Sequence, residues 1–455
     1  MSPEPRSWHF GVLPFTGTGH LNPLIALSQE LVRRGHRVTF CEKPKIEDRV
    51  RRAGLEFVQI CGQKTTSSRR APKPEAGIRA ELATLRFNVQ RVIGDVERYL
   101  EETPKALAGA GVDALLVNEV ALTGPTVAET LRLPYFLIST TVPHHFGWNG
   151  WSWITGHRSS TSCVSWLQSR LLELSALRVR GPVRRSLDSH RRQIGLGPVR
   201  EIQNIHPCLA QITQVPHCLE LPEISAPANF HYTGPWISGE ARSEVEFPWE
   251  RLDGRPLVYA TLGTTRNFVP AILSMIAEAC ASLELQLVIA LGNRGEPEHF
   301  SNLPGGPIVT KFAPQLELLK RAQLVISHGG PNTAFEALAE GKPLVVIPLA
   351  YDQPAIAARL KRLHAAEALP AKRLSVSKIR AAVIKVLREP QYREAALRLQ
   401  HQLRSIGGIG RAADIIAMEM EGYAARQEFG MRTNRARIVH RAEPHSSTEA
   451  SPVLR

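Results

Sequence analysis

Residues 312–353, FAPQLELLKRAQLVISHGGPNTAFEALAEGKPLVVIPLAYDQ, carry the densest set of groups suited to an anionic, hydroxyl-rich ligand. A strand of buried type, LVIS, ends in His328-Gly329-Gly330, and a helix pattern begins near Asn332. Glycines at such a turn let the backbone come close to a ligand. The opening turn of a helix offers unpaired N–H groups at the positive end of its dipole, a seat for a diphosphate. His328, Asn332 and Thr333 add donors there. Glu336 stands one turn further along, within reach of a ribose diol, and Asp352 and Gln353 follow the strand Leu344–Pro348, suited to sugar hydroxyls. A plain Rossmann-like turn would explain the glycines but not Glu336 or Asp352-Gln353. In the other half, GTGHLNP (17–23) sets His20 in a Gly-rich turn that opens a helix. A hydroxyl is a poor nucleophile until its proton is taken, and imidazole suits that task near neutral pH. A histidine at a helix start is by itself more often structural, so these residues alone leave both roles open.

Such groups need strands and helices in alternation to hold them. Strand-length runs fall at 9–14, 36–42, 114–118 and 134–140, with helices over Pro23–Arg34 and Ile78–Leu107 between them. The rhythm breaks over 144–200 and resumes weakly at 209–213 and 230–234. Residues 236–256 are polar with Pro and Gly, a linker composition. Strands then recur at 257–262, 286–291, 307–311, 324–327 and 344–348. The pattern predicts an α/β protein of two Rossmann-like, doubly wound domains. The expected divisions are 1–240, 241–424 and a tail at 425–455 without regular structure.

The segment 312–353 resembles the donor signature of the UDP-glycosyltransferase superfamily, whose fold, called GT-B, sets two such domains facing across a cleft. The family pattern falls on Phe312–Gln315, His328, Gly330, Asn332, Thr333, Glu336, Pro348, Asp352 and Gln353. The resemblance implies that Phe312 stacks on the uracil and that Gln315 and the others bind the donor. It gives Thr264, at the end of YATLGT (259–264), a place at the phosphates, and it makes His20 the general base. Many members put an Asp at the end of the fourth strand, against the base. Here ALLVNEV places Asn118 there, with Glu119 next. Asn can orient the ring but cannot balance its charge. Successive strand residues face opposite sides, so Glu119 reaches the ring only from an irregular strand end. Both stay in the expected catalytic set with His20. Within the superfamily the chain is most similar to bacterial carotenoid (zeaxanthin) glucosyltransferases and macrolide-type enzymes. The matching stretches include GHRVTF (35–40), AQITQ (210–214) and HGGPNT (328–333).

The implied activity is inverting transfer of a hexose, glucose first, from a UDP-sugar to a hydroxyl of a hydrophobic small molecule. No cofactor is expected beyond the UDP-sugar co-substrate, and no metal, since no D-x-D motif is present. His206, Cys208, His217 and Cys218 are ligand types at a spacing that fits no common zinc pattern. The competing function is a catalytically silent sugar-nucleotide-binding partner subunit, which only Asn118 favours. A dinucleotide oxidoreductase lacks its G-x-G-x-x-G. The net charge of +14 is concentrated: residues 161–200 hold eight Arg against one Glu and one Asp. No nucleic-acid fingerprint accompanies them, which leaves a solvated helix face or contact with an anionic membrane. Residues 144–166 hold four Trp; Trp148 and Trp151 are the expected wall for an apolar acceptor. Scattered cysteines and the lack of an apolar leader predict a cytoplasmic protein, and the membrane reading of the basic stretch would place it peripherally at the inner membrane face.

Overall fold

The structure, a computed structural model, describes residues 6–60, 78–143, 181–198, 208–220, 226–240, 242, 244–263, 269–292 and 295–442. Thr264, Trp148 and Trp151 lie outside the described residues. The first sheet contains β1 (His9–Leu13), β2 (Arg37–Glu42), β3 (Glu56–Gln59), β4 (Ala114–Asn118), β5 (Tyr135–Ser139), β6 (Cys208–Thr213) and β7 (Phe230–Tyr232). Its spatial order is β3-β2-β1-β4-β5-β6-β7, all parallel. Phe10 faces Val38 on one side and Ala114 on the other, so β1 is the strand from which the order runs both ways. The second sheet contains β8 (Leu257–Thr261), β9 (Gln286–Ala290), β10 (Ile308–Thr310), β11 (Ala322–Ser327), β12 (Leu344–Val346) and β13 (Ala366–Ala368). Its order is β10-β9-β8-β11-β12-β13, again parallel. In such sheets the crevice lies beyond the strand carboxyl ends where the order reverses: past β1 and β4 here, and past β8 and β11 in the second sheet.

Helices cover both faces of each sheet, so central strands such as HFGVL and QLVIA are buried throughout and read as continuous apolar runs. In the first domain α1 (Thr18–Arg33) lays Leu24, Ile25, Leu27 and Leu31 against Phe10 and Phe40. The short α2 (Glu47–Arg52) follows β2, and α3 (Ile78–Ala110) and α4 (Gly124–Leu131) cover the other face, with Leu100, Leu107 and Val127 beside Leu115 and Tyr135. Residues 181–193 form α5. The second domain uses α6 (Pro270–Ala281), α7 (Gln315–Arg321), α8 (Pro331–Ala339), α9 (Gln353–Arg362), α10 (Val376–Arg388) and α11 (Pro390–Ile406). A core contact joins the domains: Val142, Val215 and Leu219 of the first pack among residues of the second. Beside it lies a buried ion pair, Arg359 Nη2 to Glu220 Oε1 at 2.8 Å, which fixes α9 to the first domain.

Two expectations about the C-terminal part are corrected. The donor domain does not run to 424. After Gly407 and Gly408, with φ of +96° and +54°, the chain crosses back as α12 (Gly408–Ala442). Ala412, Ala413, Ile416 and Met420 then join the core of the first domain. The two crossings run side by side: a Cβ on Gly234 would stand 3.2 Å from Ile406, and one on Gly408 3.0 Å from the Pro235 carbonyl. Nor does irregular chain begin at 425, because α12 continues to Ala442; Ala, Arg, Glu and Met are good helix formers even without an apolar stripe. Residues 443–455 are outside the described residues. Of the basic stretch 161–200 only 181–198 is described. There Arg191 is buried, paired with Glu129 at 2.8 Å and bonded to Thr126, so that arginine serves the fold. Among the described residues no helix is long and apolar enough to cross a membrane.

Candidate active site

His20 lies in the first turn of α1, which begins after the Gly17 cap just beyond β1. Its Nδ1 is 2.7 Å from Thr140 Oγ1, at the carboxyl end of β5. The exposed ring of Phe15 meets the imidazole edge-on, with centroids 4.9 Å apart. Asn118, fully buried at the end of β4, donates from Nδ2 to the same Thr140 hydroxyl at 3.3 Å, and its Oδ1 accepts from the Val120 amide. Asn118 thus reaches the imidazole through Thr140. Glu119 Oε1 accepts from the Thr141 hydroxyl at 3.3 Å. Thr140 was not among the expected residues. Its only sequence signal is its place just past a strand adjacent to β4, where the crevice of a doubly wound sheet must lie.

The residues expected at the donor are built around α8. Gly330 caps it in an extended conformation and Gly329 turns with φ of +84°. His328 is enclosed by backbone: a Cβ on Gly263 would stand 2.7 Å from its ring, and one on Gly330 2.5 Å from its Nε2. Burial pulls this imidazole down to about 4, with the Thr261 carbonyl acting the other way, so it is neutral at neutral pH. Its Nδ1 is buried and has no hydrogen-bond partner among the described residues. Thr333 lies buried in the opening turn, and Phe312 is 40% exposed in the loop before α7.

Glu336 is buried, and both its oxygens are engaged. Oε1 pairs with Arg242, from the segment that joins the domains, and Oε2 accepts from Gln315 Nε2 at 2.5 Å. Gln315 Oε1 accepts in turn from the Tyr259 hydroxyl at 3.0 Å. Gln315 therefore steadies the carboxylate. A carboxylate has about four lone-pair sites, so the two bonds do not exhaust its accepting capacity. Arg242 carried no motif signal and stands in the expected linker. Asp352 and Gln353 begin α9 after Tyr351, whose φ of +56° turns the loop sharply. Gln353 Oε1 accepts from the Leu349 and Ala350 amides, each at 2.8 Å, which fixes the side chain. Its amide nitrogen makes no protein hydrogen bond among the described residues.

The two halves meet at Asn332, where Nδ2 donates to the Gly19 carbonyl at 2.9 Å and Oδ1 accepts from Gln214 Nε2 at 2.9 Å. The histidine turn of the first domain and the helix start of the second are thus in direct contact. Among the described residues no group of three or more His, Cys, Asp and Glu side chains could hold a metal ion.

Comparison with known proteins agrees with the two-domain fold. The model of the glycosyltransferase family 28 N-terminal domain matches residues 12–143, and that of the C-terminal domain residues 262–406. The chain is 27% identical over 432 residues to a zeaxanthin glucosyltransferase of Pantoea ananas, covering 90% of this chain and 96% of that one. It is 26% identical over 425 residues to the NDP-glycosyltransferase YjiC of Bacillus subtilis, covering 93% and 100%. The solved structure of CalG4, the calicheamicin glycosyltransferase, superposes with a TM-score of 0.71 at 23% identity, over 91% of this chain and 99% of that one; it speaks for the fold. With both domain models matched in order over more than half of its length, the chain belongs to glycosyltransferase family 28 and is a GT-B glycosyltransferase.

Proposed function

We propose that this enzyme transfers a hexose, glucose first, from a UDP-sugar to a hydroxyl of a hydrophobic small molecule, with inversion at the anomeric carbon. The carrying observation is the 2.9 Å bond from Asn332 to Gly19, which sets the base next to the diphosphate seat. Relatives named for zeaxanthin, rebeccamycin-type and oleandomycin acceptors support an apolar, hydroxyl-bearing substrate. In the tautomer that serves a base, His20 Nδ1–H donates to Thr140 Oγ1, and Nε2 keeps its lone pair for the acceptor proton. Nε2 takes that proton, the acceptor oxygen attacks the anomeric carbon, and the bond to the diphosphate oxygen breaks. UDP leaves onto the first turn of α8, whose N–H groups and dipole meet the developing charge. One displacement turns an α-linked donor into a β-glycoside. The Asn118–Thr140 pair orients the imidazolium without neutralising it.

The test is turnover of UDP-glucose with carotenoid diols and polycyclic aglycones, reading the anomeric coupling of the product by NMR. A β-glycoside formed equally well in the presence of a chelator is expected. His20→Ala should lower kcat by roughly 10²–10⁴ with UDP affinity little changed. An α-linked product would refute inversion, and a His20→Ala variant keeping about half of its turnover would remove His20 from the role.

A further inference from the structure

We infer that Gln214 and Asn332 are positioning residues that tie the placement of His20 to the helix seating the donor diphosphate. The inference rests on His20 being the base. A ring of contacts closes across the two domains. From the first turn of α8, Asn332 Nδ2 donates to the Gly19 carbonyl, in the peptide that leads into His20. Gln214 Nε2 donates to Asn332 Oδ1 at 2.9 Å and to the Thr140 carbonyl at 2.6 Å. Thr140 Oγ1 closes the ring on His20 Nδ1 at 2.7 Å.

Gln214 is the joint of this ring. A side-chain amide nitrogen has two hydrogens, and here each has an acceptor oxygen. Gln214 Oε1 faces the Trp236 amide at 3.5 Å, so the amide has one sensible orientation; the reverse would set its oxygen against two others. Gln214 is 2% exposed, so water does not replace a lost partner. It stands just past β6, as Thr140 stands just past β5 and Asn118 at the end of β4, three neighbouring strands. The opening turn of α8 therefore cannot shift on taking a diphosphate without moving Gly19 and Thr140, and the imidazole moves with them. Gln214 acts through these two neighbours, from behind Thr140.

The probe is Gln214→Glu, which keeps the volume but turns a double donor into an acceptor facing two acceptor oxygens. In turnover with UDP-glucose, kcat should fall about 10–100-fold, as misplacement of a reacting group does. The Kd of UDP by calorimetry should stay within about twofold, because donor contacts made by other residues persist, while the melting temperature falls, because an acceptor buried against two acceptors is left unsatisfied. Thr140→Val removes the next link, and the double variant should fall no more than about twofold below the worse single one. Wild-type kcat in a folded Gln214→Glu, or an equal loss of kcat and UDP affinity, would overturn the inference. Should Gln214→Glu fail to fold, Thr140→Val alone decides, since undiminished kcat there breaks the ring equally. His20→Ala separates the two levels: if it stays active the base reading fails, whereas an active Gln214→Glu beside an inactive His20→Ala sinks only the ring.

Discussion

Burial beneath Gly263 and Gly330 keeps the His328 imidazole neutral down to about pH 4, so the ring at the head of α8 is uncharged at neutral pH. Folding thereby excludes a proton that the unfolded chain binds below about 6.5. The sign follows: this contribution to stability is complete above about pH 6.5 and is lost as pH falls toward 4. Its size is on the order of 2–3 kcal/mol. Denaturant unfolding of wild type and His328→Gln, each at pH 7 and pH 4.5, should show wild type losing more by about that amount. Equal losses would mean that His328 carries no such shift. His9, His36 and His231, also lowered by burial, are common to both proteins and cancel. Residues with a chemical motif around them, such as His20, His328 and Glu336, could be singled out from the sequence. Thr140, Gln214 and Arg242 could not, because each acquires its part from a residue about a hundred positions away.

At the scale of elements, the turn after β8 and the turn after β11 are one device. Gly263 turns with φ of +83° and lies against the same edge of the His328 ring as Gly330. Gly263→Ala would combine a left-handed backbone with a Cβ 2.7 Å from His328. The expected loss of UDP affinity is about tenfold, matching the 1–2 kcal/mol of such strain. Gly239→Ala, with nothing within 4 Å, is the control and should bind normally. If the two variants bind UDP alike, backbone packing around His328 does not shape the donor seat. Central strands were readable as apolar runs because parallel strands are buried on both faces. The outer strands β3 and β13 were not: Glu56–Gln59 is half exposed, and Ala366–Ala368 reads Ala-Glu-Ala, a composition without strand preference.

At the scale of the whole molecule, the first domain is incomplete without the end of the chain. Ile415, Ile416 and Met420 are buried in its core, and Asp414 pairs with Arg34 at 2.5 Å. Burial of three such apolar side chains contributes on the order of 5 kcal/mol, comparable to the whole stability of a domain. A chain ending at Ile406 should therefore lose the folded first domain by circular dichroism and hydrogen exchange, while one ending at Ala425 should keep it. A chain ending at Ile406 that melts like the full protein would contradict this. The sequence suggested two domains in succession and could not suggest the return, because the residues that α12 sends into the first core, Ala412, Ala413, Ile415, Ile416 and Met420, are confined to the first half of a long helix that is otherwise polar. That return has a mechanical consequence. Two passages of chain, Gly234–Pro235 and Ile406–Gly408, lie in contact where they span the halves. Two adjacent tethers brace each other, and with the Arg359–Glu220 ion pair and the shared core at Val142, Val215 and Leu219 they hold the halves in one register from three separate places.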